Sequence, residues 1–214
     1  MLNKTQIEIM LTLQNQMNCT VDSNWKDLGR DWLLAAAMEA NEAIGHHGWK
    51  WWKKQRPDME QLQMELVDIW HFFLSVFIED GSDSEHLVPY MESHLEYIDF
   101  NGDTYRVDHM NLVQMLKLLS AGCLTGTLFL ELFMRICDEA GLSQESLYKQ
   151  YIGKNILNMF RQKNGYKDGS YIKIWDGEED NVHLVRIMDT LDINDSNFVD
   201  ELSDSLVAAY TQYN

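Results

Sequence analysis

Acidic residues occur in two pairs whose members are three positions apart, Glu39 with Glu42 and Glu65 with Asp68. Because an α-helix turns once in about 3.6 residues, this spacing places both members of a pair on one face, one turn apart. Neither of these faces carries a Lys or Arg, and carboxylates beside an apolar face are costly to keep charged without a partner. Carboxylate oxygens are the ligands that Mg²⁺ or Mn²⁺ prefers, so the pattern predicts a metal site between two helices.

The two segments that carry these pairs have the apolar periodicity of amphipathic helices. In the segment 58–80, which follows a Pro-Asp start signal, apolar residues recur at spacings of four and three. The segment 30–46 has an apolar stripe of its own beside its acidic pair. Because only a short connection joins them, we expect the two helices to be antiparallel neighbours. The residues of the two stripes are Leu62, Leu66, Ile69, Phe73 and Val76, and Leu34, Ala37, Ala40 and Ile44.

The whole chain reads as mostly helical, and the predicted fold class is all-α. Good helix formers are abundant, while two prolines and 12 glycines are too few to punctuate an all-β chain of 214 residues. We expect a single domain, and between Gly165 and Asn181 an ordered loop with a short hairpin, because no helical period continues there. Helical periodicity is found at roughly 4–18, 30–46, 58–80, 84–98, 107–120, 122–140, 143–163 and 196–212.

Charge and cysteine usage exclude several classes of protein. A formal net charge of −17 disfavours a nucleic-acid or anionic-membrane binder. The three cysteines are widely spaced, and neither a signal peptide nor a membrane span is visible, so a reducing cytoplasm is expected. Within this acidic chain, 149–173 is a basic segment with six basic residues and one acid, a local balance of 6 − 1 = +5. Such a segment indicates a site for a small polyanion, although a solvated helix face would look the same.

Other interpretations of the acidic pairs stay open at this point. Surface helices often carry solvated glutamate pairs, although two pairs on consecutive helices favour a metal site. His71 follows Asp68 by three residues and approximates the Glu-x-x-His motif of helical di-iron proteins, which need that motif on two helices. A packed, hydrogen-bonded role for His71 is the stronger interpretation.

Four segments of the sequence resemble the dimeric, all-α dUTPases. That family belongs to the wider all-α nucleoside triphosphate pyrophosphatases, with the MazG-like enzymes and phage dCTP pyrophosphatases. The middle of the chain, about 81–141, is similar to the family only in being helical. The segments are LQNQMN from Leu13, EANEAIGHHGWKWWK from Glu39, ELVDIWHFFLS from Glu65 and YIGKNILNMFRQKNGYKDGSYIKIWDGEEDN from Tyr151.

The resemblance implies a homodimeric helical bundle that hydrolyses dUTP, and also dUDP, to dUMP with Mg²⁺, for which Mn²⁺ can substitute. The metal-site helices then lie at about 1–80 and 143–181. Glu39, Glu42, Glu65 and Asp68 match the metal-binding carboxylates of the family, and Glu42 is the best candidate to orient and deprotonate the attacking water.

The resemblance also implies where the nucleotide binds. A set of polar and basic residues matches the groups that hold the phosphate chain, namely Lys154, Asn158, Arg161, Tyr166 and Lys167. Gln14 and Asn18, one turn apart, match the group that reads the uracil edge. The cluster of Trp49, Trp51 and Trp52 matches a region that lines the nucleoside pocket.

Alternatives to dUTP remain at the level of sequence. Because a carboxamide offers both a donor and an acceptor, Gln14 and Asn18 also suit dCTP or another nucleotide on the same scaffold. A non-enzymatic binding or regulatory module on this scaffold is a further alternative, against which the carboxylates and the basic segment argue.

Overall fold

The computed structural model describes residues 2–91, 95–193 and 195–213, without the side chain of residue 213. Within these ranges the chain is all-α, as predicted, and its four short strands form two separate two-stranded hairpins. The helices are α1 (Lys4–Val21), α2 (Trp32–His47), α3 (Met59–Glu79), α4 (Ser84–Met91), α5 (Leu112–Leu124), α6 (Leu130–Glu139), α7 (Gln144–Lys163), α8 (Asp180–Met188) and α9 (Phe198–Tyr213). The strands are β1 (Tyr97–Phe100), β2 (Asp103–Arg106), β3 (Ile174–Trp175) and β4 (Glu178–Glu179), and 3₁₀ turns lie at Trp25–Leu28 and Val107–His109.

Side-chain caps fix where the two helices with the acidic pairs begin. The Asp31 carboxylate accepts a hydrogen bond from the backbone N–H of Leu34 at the start of α2, and Asp58 accepts one from Gln61 at the start of α3. At its other end α2 stops at Gly48, whose φ of 86° favours glycine. These signals set the bounds of α2 and α3 close to those predicted.

Helices α2 and α3 pack against each other and run antiparallel. The backbone N–H of Asp58, before α3, donates to the carbonyl of His46, near the end of α2, at 2.8 Å. Helix α2 also packs against α5, and it buries a row of alanines completely. Because interaxial distance depends on the side chains at the contact, these small residues favour a close approach of the helices. The row consists of Ala36, Ala37, Ala40 and Ala43.

The largest error of the sequence-based prediction lies at 84–98, which is not one helix. Helix α4 ends at Met91, residues 92–94 lie outside the described ranges, and β1 begins at Tyr97 and pairs antiparallel with β2. The turn between the strands is Asn101-Gly102, and both residues have positive φ, 54° and 86°. Asn-Gly is the strongest short hairpin signal in a sequence, so the signal was present and was missed.

Three further segments differ from prediction. Helix α5 begins only at Leu112, after the 3₁₀ turn, and the predicted segment 122–140 is broken between α5 and α6, where Gly126 has φ 80°. The predicted hairpin after Gly165 is confirmed as β3 and β4, but helix α8 directly after it was not predicted.

Across the described ranges, none of the helices combines the length and the apolar composition that a membrane span requires.

Candidate metal and nucleotide site

Three of the four predicted metal ligands lie together between α2 and α3. Glu39 and Glu42 from α2 and Glu65 from α3 each offer one carboxylate oxygen within 4.8 Å of the others. The antiparallel packing of the two helices produces this arrangement, because it sets the middle of α2 beside the first half of α3. The three oxygens could bind one cation together.

Charge at this carboxylate cluster is poorly compensated. Burial, followed by repulsion from Asp68, Glu42 and Glu65, raises the pKa of Glu39 to about 7. Burial and Asp68 likewise raise the pKa of Glu65, while His46, whose Nε2 lies 3.1 Å from Glu65 Oε1, works in the other direction. A cluster of hard oxygen donors with excess negative charge fits a divalent cation such as Mg²⁺.

Asp68, the fourth predicted ligand, forms an ion pair with Lys154 of α7. The positive charge of Lys154 also opposes the rise in the pKa of Glu39 and of Glu65. The sequence showed no basic residue on the faces of α2 and α3, and the structure adds one from a third helix. Lys154 therefore lies at the border between the carboxylates and the basic segment.

Three of the predicted phosphate ligands lie on one face of α7. Lys154, Asn158 and Arg161 follow one another at spacings of four and three, so they span about 10 Å along the helix. Arg161 Nη1 donates to Asn158 Oδ1 at 3.3 Å. The other two follow the end of α7. Tyr166 is exposed, and Lys167 Nζ donates to the carbonyl of Val21 at 3.0 Å.

Most lysines and arginines of the basic segment 149–173 already have acidic partners. Besides the pair with Asp68, Lys149 lies 3.0 Å from Asp189 and Lys173 lies 3.1 Å from Glu179. The local excess of positive charge in the sequence is therefore largely balanced by acids from other segments.

Gln14 and Asn18, the predicted base readers, are buried between helices. Both donate to the hydroxyl of Ser75 on α3, at 3.1 and 3.0 Å, and Gln14 also donates to Asn18 Oδ1. Gln14 Oε1 accepts from His71 Nδ1 at 2.8 Å and lies 3.1 Å from the hydroxyl of Tyr151 on α7. The two amides thus belong to a buried polar network shared by α1, α3 and α7.

Asn155 belongs to the same network, because its Nδ2 donates to the hydroxyl of Tyr151 at 3.2 Å. Two acceptors of the network, His71 Nε2 and Asn155 Oδ1, have no hydrogen-bond partner among the described residues. Burial, with a smaller effect of Lys154, lowers the pKa of His71 to about 3, so the ring is neutral at pH 7. With the proton on Nδ1, Nε2 carries a lone pair. His71 contacts Gln14 and Tyr151 and is not one of the residues of the carboxylate cluster, which favours a packed, hydrogen-bonded role over a ligand of a di-iron site.

The tryptophan cluster lies in the connection between α2 and α3. Trp49 and Trp51 each make an edge-on contact with the ring of Trp52, at centroid distances of 5.3 and 5.5 Å. Trp51 is 90% exposed. In this conformation the cluster stands out from the surface beside the end of α2.

Four residues at or near the site received no role from the sequence. His46 contacts Glu65, Ser75 and Tyr151 hold the amides, and Asp180 binds Arg161. His46 follows Glu42 by one turn, so its spacing carried a usable signal. The contacts of Ser75, Tyr151 and Asp180 join distant parts of the chain, so no local sequence pattern predicts them.

The fold and the sequence together define the class of protein. An all-α chain has its acidic pairs on two antiparallel helices, and its sequence matches the dUTPase family over residues 6–166, about three quarters of its length. The chain therefore belongs to the dUTPase family, and it is an enzyme, a dUTP diphosphatase. A comparison with curated proteins found no match. Family membership rules against the non-enzymatic alternative.

Proposed function

We propose that this enzyme hydrolyses dUTP, and also dUDP, to dUMP with Mg²⁺, and that Mn²⁺ can replace it. The observation that carries the proposal is the carboxylate cluster of Glu39, Glu42 and Glu65, within 4.8 Å, in a chain of the dUTPase family. These carboxylates and Asp68 would hold the metal, which supplies charge neutralisation at the phosphate oxygens when bound.

Glu42 is the proposed general base. It is the exposed member of the cluster, so a water molecule can reach its carboxylate. Its oxygen would accept the proton as the water attacks the phosphorus. Because phosphoanhydride hydrolysis depends on a positioned water and on charge stabilisation, no covalent enzyme intermediate is needed.

The basic face of α7 is the proposed phosphate site. Lys154 borders the carboxylate cluster, and Asn158 and Arg161 continue the same face, so a phosphate chain lying along α7 would meet donors throughout. Tyr166 and Lys167 would contribute from the turn that follows. The bound phosphate chain would neutralise positive charges of α7 that acidic residues neutralise in the free protein.

The buried polar network is the proposed base site. Uracil presents an N–H at its ring N3, whereas cytosine presents a lone pair there. The unpartnered acceptors of the network, His71 Nε2 and Asn155 Oδ1, match a donor and therefore favour uracil. Gln14 and Asn18 would bind the carbonyl oxygens or the N–H of the uracil ring after giving up their present hydrogen bonds to Ser75 and His71. Trp49 and Trp51 would cover the nucleoside if their loop folds over it.

The test is turnover of dUTP, dUDP and dCTP by the purified enzyme, with Mg²⁺ and with a chelator. We expect hydrolysis of dUTP and dUDP, a preference for dUTP over dCTP, and no turnover with the chelator. Glu42→Gln should lose at least a hundredfold in kcat, whereas Glu60→Gln, a control at the exposed start of α3, should not. Equal turnover of dCTP would favour the alternative substrate. Hydrolysis unaffected by the chelator would overturn the metal proposal.

A homodimer is part of the proposal. Leu34 and Met38, one turn apart on α2, are large apolar side chains that are about half exposed, which a second copy could cover. The chain has a mass of 25.1 kDa, and sedimentation equilibrium should give twice that value. A monomer that hydrolyses dUTP at the full rate would refute the dimer without affecting the reaction.

A further inference from the structure

Arg161, at the end of α7, is bound on one side by a buried carboxylate. Its Nε donates to Asp180 Oδ2 at 2.8 Å, and its Nη2 donates to Asp180 Oδ1 at 2.7 Å. The Arg161 side chain is 16% exposed and that of Asp180 is fully buried. This is the two-point geometry in which arginine and carboxylate bind most specifically.

The pair uses one edge of the guanidinium and leaves another edge accessible for exchange. Nε and Nη2 form the edge that faces Asp180. Among the described residues, the edge formed by Nη1 and Nη2 donates to two carboxamide oxygens, Asn158 Oδ1 and Asn181 Oδ1, each at 3.3 Å. These contacts are longer than the bonds to Asp180 and involve uncharged acceptors, so a phosphate oxygen can replace them.

Asp180 itself is held from several directions. It is the first residue of α8, its backbone N–H donates to the carbonyl of Lys173 at 2.9 Å, and its Oδ2 accepts from the hydroxyl of Tyr171 at 2.8 Å. Burial raises the pKa of Asp180, but the hydrogen bonds from Arg161 and Tyr171 outweigh burial and leave the pKa below its usual range. The carboxylate is therefore charged and fixed at neutral pH.

We propose that Asp180 is a positioning residue of the reaction, which fixes the guanidinium of Arg161 so that its second edge faces the phosphate chain beside Asn158. The inference rests on the proposed phosphate role of Arg161. It assigns a function to Asp180, which lies in the segment from Tyr151 that resembles the dUTPases but outside residues 6–166, over which the chain matches the family. The edge formed by Nε and Nη2 anchors the side chain to Asp180, and the edge formed by Nη1 and Nη2 binds substrate.

The experiment is a double-mutant cycle with Asp180→Asn, Arg161→Ala and the double variant, measuring kcat and KM for dUTP at saturating Mg²⁺. Each single variant should lower kcat/KM at least tenfold, mainly through a higher KM. Because Asp180 acts through Arg161, Asp180→Asn should cause less than a twofold further loss when Arg161 is already Ala. Glu178→Gln, which removes the exposed partner of Arg186 in the same segment, should stay within threefold of wild type.

The outcomes separate the two proposals. If Asp180→Asn reduces kcat/KM equally with and without Arg161, its role is structural and the inference is wrong. If Arg161→Ala keeps the wild-type KM, the phosphate role of Arg161 fails and this inference fails with it, while hydrolysis of dUTP stands. If Asp180→Asn does not fold, Arg161→Lys decides, because a lysine keeps a charge for Asp180 but has no second edge. Its KM should rise at least tenfold while circular dichroism shows a folded protein, and a wild-type KM would overturn the proposal.

Discussion

Replacing Lys154 by Met should strengthen metal binding and weaken nucleotide binding in the same variant. In the free enzyme Lys154 pairs with Asp68 and lies close enough to Glu39 and Glu65 to affect their pKa values. It is thus a cation already present at the site proposed for Mg²⁺. A divalent ion must displace it from Asp68, whereas a phosphate chain would give it a new partner.

The size of the effect follows from charge and exposure. Two unit charges 4 Å apart interact by about 1 kcal/mol in water and about 4 kcal/mol at an effective dielectric constant of 20. The side chains of Lys154 and Asp68 are each about a quarter exposed, and the flexible lysine can withdraw as the metal enters. We therefore expect a gain of about 1–2 kcal/mol in metal binding, which makes the dissociation constant roughly tenfold lower.

The assay is a titration of the nucleotide-free enzyme with Mn²⁺, in which the electron paramagnetic resonance signal of the free ion reports binding. A second titration measures the affinity of a non-hydrolysable dUTP analogue at saturating Mn²⁺, which should fall at least tenfold in Lys154→Met. Lys149→Met is the matched control, because Lys149 lies on the same helix and pairs with Asp189 instead. It should leave both affinities within twofold of wild type. Unchanged or weaker Mn²⁺ binding by Lys154→Met would refute this reasoning.

Three further predictions concern stability. Ser75→Ala removes the acceptor of two buried amide donors, so the free energy of unfolding in urea should fall by about 1–3 kcal/mol, whereas Ser146→Ala at an exposed helix start should cost less. The pKa of His71 is about 3 in the folded protein against an ordinary value of 6.5, so between these pH values only the unfolded chain binds the proton. The free energy of unfolding of wild type should therefore fall, relative to that of His71→Gln, by up to about 1.4 kcal/mol per pH unit below 6.5. Urea unfolding of both proteins at pH 7 and pH 5 tests this, and an equal change in the two proteins would contradict it. Gly122→Ala adds a Cβ 2.5 Å from the ring of Phe129, and such overpacking costs about 1–3 kcal/mol of folding free energy. Because the higher helix propensity of alanine returns at most about 1 kcal/mol, the Tm should fall. A higher Tm would show that the ring can move away.

The parts of the fold that the sequence predicted are those with local signals. The apolar period of α3 and the capping aspartates before α2 and α3 are readable within a few residues, and so was the convergence of Glu39, Glu42 and Glu65. The error at 84–98 arose because apolar residues near β1 were counted in a helical period while the Asn-Gly turn was passed over.

The partners of the charged residues were not readable in the same way. Lys154 and Asp68 are 86 positions apart and Arg161 and Asp180 are 19 apart, and neither pair follows a helical or strand period. The sequence showed the basic segment as an excess of positive charge, whereas folding supplies acids from α3, α8 and β4. Charge balance at a site depends on tertiary packing, and composition along the chain does not report it.

The alanine row of α2 connects the packing of the core with the size of ion that the proposed metal site would accept. Mg²⁺ requires oxygen ligands at about 2.0–2.1 Å in a near-ideal octahedron, whereas Ca²⁺ accepts 2.3–2.6 Å and looser geometry. The distance between the carboxylates of α2 and α3 depends on how closely the helices approach, and the fully buried Ala36, Ala37, Ala40 and Ala43 keep the packed surface of α2 small. At the proposed metal site, discrimination between cations would then depend on core alanines that make no contact with the ion.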